Sequence, residues 1–141
     1  MAFPILRRLF PMIIKQKHLI LPEKYPRRIN ASVVAKPDTT KLCLSGFEDQ
    51  VFIEGRFPNV ELLCITNSDK NFVYYNLGKF EFPKVKTVIL LSHPGDHIVQ
   101  SRLEGVNVVS PYTHYFRYHK RHYPIENNED LVNVMKNLGY L

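Results

Sequence analysis

The sequence predicts a single α/β domain, with α+β as the alternative, in which short and mostly parallel strands precede C-terminal helices. With 141 residues, 45% of them hydrophobic, the chain has the size and composition of one globular domain with its own core. Apolar runs of strand length recur about every 20 to 25 residues, and prolines divide the chain into short elements. Each interval leaves room for a loop and a short helix, as in a βαβ or leucine-rich-repeat-like layout.

Two of the apolar runs begin with the same motif. The pattern Phe-Pro-x-Val, followed by an apolar run, starts at Phe57 and again 25 residues later at Phe82. Proline ends the preceding element and favours an extended entry, and a continuous apolar run is typical of a strand buried on both faces. Two similar runs, at residues 41–44 and 105–109, extend the series, so a strand-rich body is expected over residues 41–110.

Two pieces between these runs leave the type of sheet open. Residues 50–54 and 71–75 are rich in β-branched and aromatic side chains, which favour strands. If both pieces form additional antiparallel strands, the sheet is mixed and the domain belongs to the α+β class.

The two cysteines, Cys43 and Cys64, lie inside apolar runs and form no CxxC pair. Free cysteine is among the most buried residue types, so we expect two reduced core thiols and a cytosolic compartment. If the two strands are adjacent and parallel, the thiols could face each other. A disulfide is then geometrically feasible, although no other feature of the sequence supports it.

The C-terminal region, residues 111–141, is predicted to be helical. Ser110 can cap a helix and Pro111 suits its first position, so a helix is expected from residue 111 to about 122, ended by Pro124. Its apolar face would cover the sheet with three aromatic side chains, those of Tyr112, Tyr115 and Phe116.

A second C-terminal helix is predicted over Glu129–Leu138. Asparagine favours the N-cap position because its side chain accepts a hydrogen bond from a free amide of the first turn, and Asn127 and Asn128 stand there. Gly139 suits the left-handed conformation that closes many helices.

Positive charge is concentrated in two parts of the chain. Residues 1–28 carry seven arginine and lysine residues and one acid, Glu23, which gives +6 and equals the formal charge of the whole chain. Residues 112–123 add three cations and no acid. Such asymmetry attracts phosphate backbones and anionic surfaces whatever the fold. The candidate nucleic-acid-binding residues are Arg7, Arg8, Arg27, Arg28, Arg117, Lys120 and Arg121.

The basic N-terminal segment, residues 1–28, is also rich in apolar residues, which leaves a partner-binding or membrane-surface role open. Prolines and cations interrupt every apolar run, so we expect neither one continuous amphipathic helix nor a signal peptide. No run in the chain approaches the roughly 18 to 20 apolar residues of a membrane span. We therefore expect a protein that is not secreted.

The SHPGDH motif, residues 92–97, follows an apolar run and has three interpretations. It resembles the start of a metallo-β-lactamase-fold site, which implies a metal held by His93, Asp96 and His97. It also resembles the His-Pro-x-Asp start of sugar deacetylases, which matches His93, Pro94 and Asp96 and likewise implies a metal. Both families have longer chains, and the middle histidine of the first pattern is missing here. The second interpretation is an anion site made by the two histidines at the carboxyl end of a parallel strand. The third, which we favour, is a Pro-Gly-Asp turn that ends the strand and caps a short helix over residues 96–103.

A family resemblance joins several of these features. The Phe-Pro-x-Val strands, the strand that ends in Ser-His-Pro, the following Val-x-Val strand and the segment rich in tyrosine and arginine resemble small proteins of large DNA viruses of amoebae, of the Marseillevirus kind. The resemblance covers residues 57–123, and Gly95 stands where those proteins often have a cysteine. It implies a virus-encoded protein, packaged in the particle, and brings no reaction or site residues.

These observations lead to three functional hypotheses. The first is a non-enzymatic, basic viral protein of the virion and host cytoplasm that binds nucleic acid or another virion component. It has no catalytic residue, no metal and no cofactor. The second is a small metal-dependent hydrolase centred on His93, Asp96 and His97. The third is a structural protein that forms homodimers through an exposed sheet edge.

Overall fold

Short parallel strands make up most of the regular secondary structure in the described residues. The computed structural model describes residues 3–19, 29–77, 79–93, 105–112 and 121–141. Within these ranges the helices are α1 (Leu6–Leu9), a 3₁₀ turn (Gln16–His18), α2 (Lys70–Leu77) and α3 (Asn128–Asn137). The strands are β1 (Ile13–Lys15), β2 (Ile29–Val34), β3 (Lys41–Ser45), β4 (Val51–Arg56), β5 (Leu62–Thr66), β6 (Thr87–Leu90), β7 (Asn107–Ser110) and β8 (His122–Pro124).

Six of these strands form one parallel sheet, here called the main sheet, in the order β1-β3-β5-β6-β7-β8. The remaining two strands, β2 and β4, pair in parallel with each other and form the outer sheet. The chain alternates between the two sheets from β1 to β5, so it winds like a short solenoid. The four strands predicted from the apolar runs are β3, β5, β6 and β7, and their parallel arrangement is confirmed.

The register of the main sheet shows how long each turn of the winding is. Lys41 pairs with Leu62, Leu62 with Thr87 and Thr87 with Asn107, so successive turns contain 21, 25 and 20 residues. These lengths agree with the spacing of the apolar runs in the sequence. Burial explains the apolar composition, because β5 and β6 are covered on both faces and every residue of β6 is buried.

The repeated Phe-Pro-x-Val motif precedes β5 and β6, and its equivalent positions stack on each other. Glu61 and Lys86, which are 25 residues apart, form an ion pair of 2.8 Å. Asn59 and Lys84, also 25 residues apart, form a hydrogen bond of 2.9 Å. Pro37 stands four residues before β3, as the motif's prolines stand before β5 and β6, and its carbonyl accepts a hydrogen bond from the Asn59 side chain. The repeat therefore includes a third turn that the sequence motif did not reveal.

The two pieces that left the sheet type open are not antiparallel strands. Residues 51–56 do form a strand, β4, but it runs parallel to β2. Residues 71–75 belong to helix α2. The helix forms because Phe72, Val73 and Leu77 share one helical face and are buried, an arrangement that a strand of the same residues would not give.

The prediction that a helix extends from residue 111 to about residue 122 is wrong at the C-terminal end of that range. Residues 113–120, with Tyr115 and Phe116, lie outside the described part of the chain. Beyond them Arg121 lies in a turn, and His122–Pro124 form β8, which pairs with β7. Pro124 therefore does not end a helix. It occupies the last strand of the main sheet's order, and outer strands tolerate the missing amide donor of proline.

The second C-terminal helix is confirmed as α3. Asn127 is the N-cap, as predicted, and its side chain accepts a hydrogen bond of 2.9 Å from the amide of Asp130. Gly139 follows the helix with φ of 87°. The Tyr140 hydroxyl then bonds the buried Thr87 hydroxyl at 3.0 Å, which holds the C-terminal end of the chain on the main sheet.

Two hydrophobic cores lie on opposite faces of the main sheet. One core fills the space between the main sheet, the outer sheet and α2. The other fills the space between the opposite face, α1 and α3, and it includes the buried side chains of Ile5, Leu9 and Phe10. These apolar residues of the N-terminal segment serve the protein's own core, so they are not available to a membrane surface.

The two cysteines are register partners in β3 and β5. Both are buried free thiols, as predicted, and both belong to the core beneath α1 and α3. Burial raises the pKa of the Cys64 thiol, and a hydrogen bond with Cys43 raises it further. The Cys64 thiol is therefore protonated and unreactive in the folded protein.

Candidate functional site

A cavity of about 310 Å³ lies beyond the carboxyl ends of the central main-sheet strands. We call it the carboxyl-end cavity, and it is where ligands bind in many parallel sheets. Its lining comes from the N-terminal segment and from the loops after β5, β6 and β7. The lining residues are Phe3, Thr66, Asn67, Ser68, Leu91, Ser92, His93, Pro111 and Tyr112.

Serine hydroxyl groups hold the loops around this cavity together. Ser92 is buried, and its hydroxyl accepts a hydrogen bond of 3.0 Å from the amide of Ser68. The Ser68 hydroxyl in turn accepts one of 3.1 Å from the amide of Phe47, and it donates to the Thr66 carbonyl. Each hydroxyl thus joins one turn of the winding to the next, and the first residue of the SHPGDH motif has a structural role.

His93 lines the carboxyl-end cavity beside Tyr112. The two rings meet edge to face, with centroids 5.2 Å apart. The Tyr112 hydroxyl donates to the Leu91 carbonyl at 3.2 Å, and burial raises the pKa of this hydroxyl. Tyr112 also packs against the core of the main sheet, as the sequence predicted. The cavity therefore offers hydrogen-bonding groups and aromatic edges.

Only one of the three proposed metal ligands is placed by the structure. Asp96 and His97 lie outside the described residues, and so do the turn and the short helix that the sequence predicts over residues 94–103. Among the residues that are described, no group of three or more histidine, cysteine, aspartate or glutamate side chains could hold a metal ion.

The predicted nucleic-acid-binding residues are described only in part. Arg7 and Arg8 are exposed on α1, whose opposite side is buried against the body. Arg121 is also exposed, and its guanidinium donates to the Gly105 carbonyl at 3.0 Å. The other four candidates, Arg27, Arg28, Arg117 and Lys120, lie outside the described residues.

The structure separates the arginines of α1 from Arg121. The amide of Ile5, next to α1, donates to the Asn128 side chain, and Phe3 lines the carboxyl-end cavity. The start of α1 is therefore near the carboxyl ends of the main-sheet strands. Arg121 precedes β8 and lies beside Gly105, at the amino ends of the strands.

A second cavity, of about 460 Å³, lies against the outer sheet and is called the outer-sheet cavity. Its lining combines an aromatic ring with polar and charged side chains of β2, β4 and the end of α2. The lining residues are Asn30, Ala31, Ser32, Phe52, Ile53, Glu54, Asn76 and Lys79. Sequence reasoning missed this site. The alternation of buried and exposed residues in β4 marked its outer face, but the partner strand β2 was not recognised.

Asn76 forms the buried floor of the outer-sheet cavity and replaces a missing neighbour strand of β4. Its side-chain oxygen accepts from the amide of Ile53 at 2.9 Å. Its side-chain nitrogen donates to the carbonyls of Val51 at 3.1 Å and Phe72 at 2.8 Å. The next turn of the chain forms helix α2 here instead of a strand, so the Asn76 side chain provides the hydrogen-bond partners of the Ile53 amide and the Val51 carbonyl in β4.

Comparison with known proteins gives a family and one relative. The family of unknown function DUF5845 matches residues 42–122, which is more than half of the chain, and the protein belongs to this family. The chain is similar to an uncharacterized protein of Acanthamoeba polyphaga mimivirus, with 35% identity over 57 residues. The match covers 40% of this chain and 42% of the relative. The predicted resemblance to proteins of large DNA viruses of amoebae is therefore confirmed.

No solved structure matches the chain. Within the described residues, no helix combines the length and the apolar character needed to cross a bilayer.

Proposed function

We propose that the protein is a non-enzymatic, basic viral protein that is packaged in the virion and binds nucleic acid or another anionic virion component. We also propose that its winding is leucine-rich-repeat-like, because solenoids of this type offer stacked surfaces for binding. The similarity to a mimivirus protein supports the viral origin.

The observation that carries the proposal is the exposed arginine pair of α1. The apolar side chains around Arg7 and Arg8 are buried in the core, so the two guanidinium groups are fixed at the surface by a packed element. The formal charge of the chain is +6. Fixed cations on a basic protein attract the phosphates of nucleic acid and raise the rate of encounter.

Charge reversal of the pair tests this proposal. Fluorescence anisotropy would measure binding of a labelled DNA duplex and a labelled single-stranded RNA to the wild-type protein and to the double variant Arg7→Glu/Arg8→Glu. The matched control is Lys36→Glu/Lys70→Glu, which changes the charge equally at two exposed residues elsewhere. We expect the first variant to lose most of the affinity and the control to keep it.

Two results would contradict the nucleic-acid proposal. The first is the absence of binding by the wild-type protein at low salt. The second is an equal loss of affinity in both double variants, because the effect would then reflect net charge and not the surface of α1. Homodimer formation stays a separate prediction, and sedimentation over a range of concentrations would test it.

A further inference from the structure

We propose that the outer-sheet cavity binds a carbohydrate, with one sugar ring stacked on the ring of Phe52. This site lies beyond the outer sheet, whereas α1 covers the opposite face of the main sheet. The proposal is therefore independent of the nucleic-acid surface. A volume of about 460 Å³ also falls in the range of small-ligand sites.

The Phe52 ring lines the cavity, and two tyrosine rings lie next to it. The rings of Phe52 and Tyr75 have centroids 5.7 Å apart, and Tyr74 continues the row at 5.1 Å from Tyr75. Tyr75, which lies beside Phe52, is 47% exposed. The apolar C–H face of a sugar ring can pack on an aromatic ring such as that of Phe52.

Polar side chains beside the rings provide both donors and acceptors. Asn30 and Ser32 can donate and accept, Glu54 only accepts, and Lys79 only donates. The Lys79 ammonium lies 5.5 Å from the centroid of the Phe52 ring. It can therefore donate a hydrogen bond to a ligand that stacks on this ring. Sugar hydroxyls both donate and accept, which matches this mixed set.

The charges of the cavity favour a neutral ligand. Among the residues that the structure describes, its lining contains one carboxylate, that of Glu54, and one ammonium, that of Lys79. A phosphate chain would gain contact with the ammonium and suffer repulsion from the carboxylate. The neutral, hydroxyl-rich surface of a carbohydrate suits this balance better than a nucleic acid does.

The floor of the cavity is rigid, which lowers the cost of binding a weak ligand. Two hydrogen bonds of the Asn76 side chain, with the Ile53 amide and the Val51 carbonyl, fix α2 against β4. The ladder between β2 and β4 then fixes Asn30 opposite Phe52 and Ser32 opposite Glu54. The polar groups are therefore held in register with the ring before any ligand arrives.

An NMR titration of the whole protein tests the proposal. The probes are three neutral trisaccharides, maltotriose, cellotriose and triacetylchitotriose, with a thymidine oligonucleotide as the competing class. We expect at least one trisaccharide to shift resonances of Phe52, Ser32 and Lys79 with a millimolar dissociation constant. Phe52→Ala should weaken that binding about tenfold, which is the effect of one lost ring stack together with its buried contact area.

Ser32→Ala provides a second variant that leaves the aromatic packing intact, because Ser32 is an exposed residue of β2. We expect it to weaken the trisaccharide several-fold, whereas the control Lys36→Met should bind as the wild type does. The proposal is overturned if no trisaccharide shifts these resonances or if binding survives in both Phe52→Ala and Ser32→Ala. It is also overturned if the oligonucleotide alone shifts them.

Discussion

Asn76 joins helix α2 to strand β4, and replacing it tests how much its buried hydrogen bonds stabilise the fold. Its side chain is buried, and it pairs with the amide of Ile53 and the carbonyl of Val51, both of which lie in a buried part of β4. In Asn76→Ala these two buried groups lose their partner. The Phe72 carbonyl is less affected, because the helix itself also offers it a donor.

The expected cost follows from those two groups. Each buried polar group left without a partner costs about 1 to 3 kcal/mol, so the variant should lose about 4 kcal/mol of unfolding free energy. That is a large share of the stability of a small domain, which is about 5 to 15 kcal/mol. Chemical denaturation with urea, followed by circular dichroism, would measure the loss.

Asn59→Ala is the matched control for this prediction. Asn59 also makes two side-chain hydrogen bonds, to the Pro37 carbonyl and to Lys84, but it is only half-buried. Water can replace those bonds, so we expect a loss below about 1 kcal/mol. Equal losses in the two variants would refute the reasoning, since burial would then make no difference.

Three further predictions follow from the packing and the charges. Gly55→Ala should destabilise the protein by about 1 to 3 kcal/mol in the same urea assay, because the new Cβ would lie 2.8 Å from the rings of Phe57 and Phe80; an unchanged midpoint would contradict this. Ellman's reagent should label neither Cys43 nor Cys64 in the native protein and both after unfolding, because burial keeps the pKa of Cys64 high; rapid native labelling would contradict the buried placement. The pKa of Glu61 is lowered by its hydrogen bond and charge contact with Lys86, so this pair stabilises the fold above the usual carboxyl pKa and ceases to do so as the pH falls through the lowered value. Lys86→Gln should remove that part of the pH dependence while leaving the stability at the lowest pH unchanged, and a pH series of urea midpoints would check it.

The strands of the main sheet were predictable because burial on both faces leaves a continuous apolar run. β3, β5, β6 and β7 all follow this rule. Strand β8 was missed because His122–Pro124 is not an apolar run, and only its pairing with β7 makes it a strand.

The outer sheet was harder to predict for a related reason. The alternation in β4 shows that one face is buried, but it does not show which strand lies beside it or in which direction. That partner, β2, is brought there by the path through β3. Helix α2 was missed because its valine and aromatic residues favour strands, whereas its buried face selects the helix.

The carboxyl-end cavity was predicted only in part. The position of His93 after a parallel strand indicated a loop at this edge of the sheet, and the structure places it in the cavity lining. The neighbours Ser68 and Tyr112 come from other turns of the winding, and no local pattern connects them with the SHPGDH motif.

The salt dependence of nucleic-acid binding tests the central proposal most directly. The logarithm of the binding constant should fall linearly with the logarithm of salt concentration, with a slope of about −0.9 for each phosphate contacted on a DNA duplex. If Arg7 and Arg8 each contact a phosphate, Arg7→Glu/Arg8→Glu should reduce the steepness by about two units relative to Lys36→Glu/Lys70→Glu. Identical slopes for the two double variants would contradict the proposal that the α1 surface binds nucleic acid.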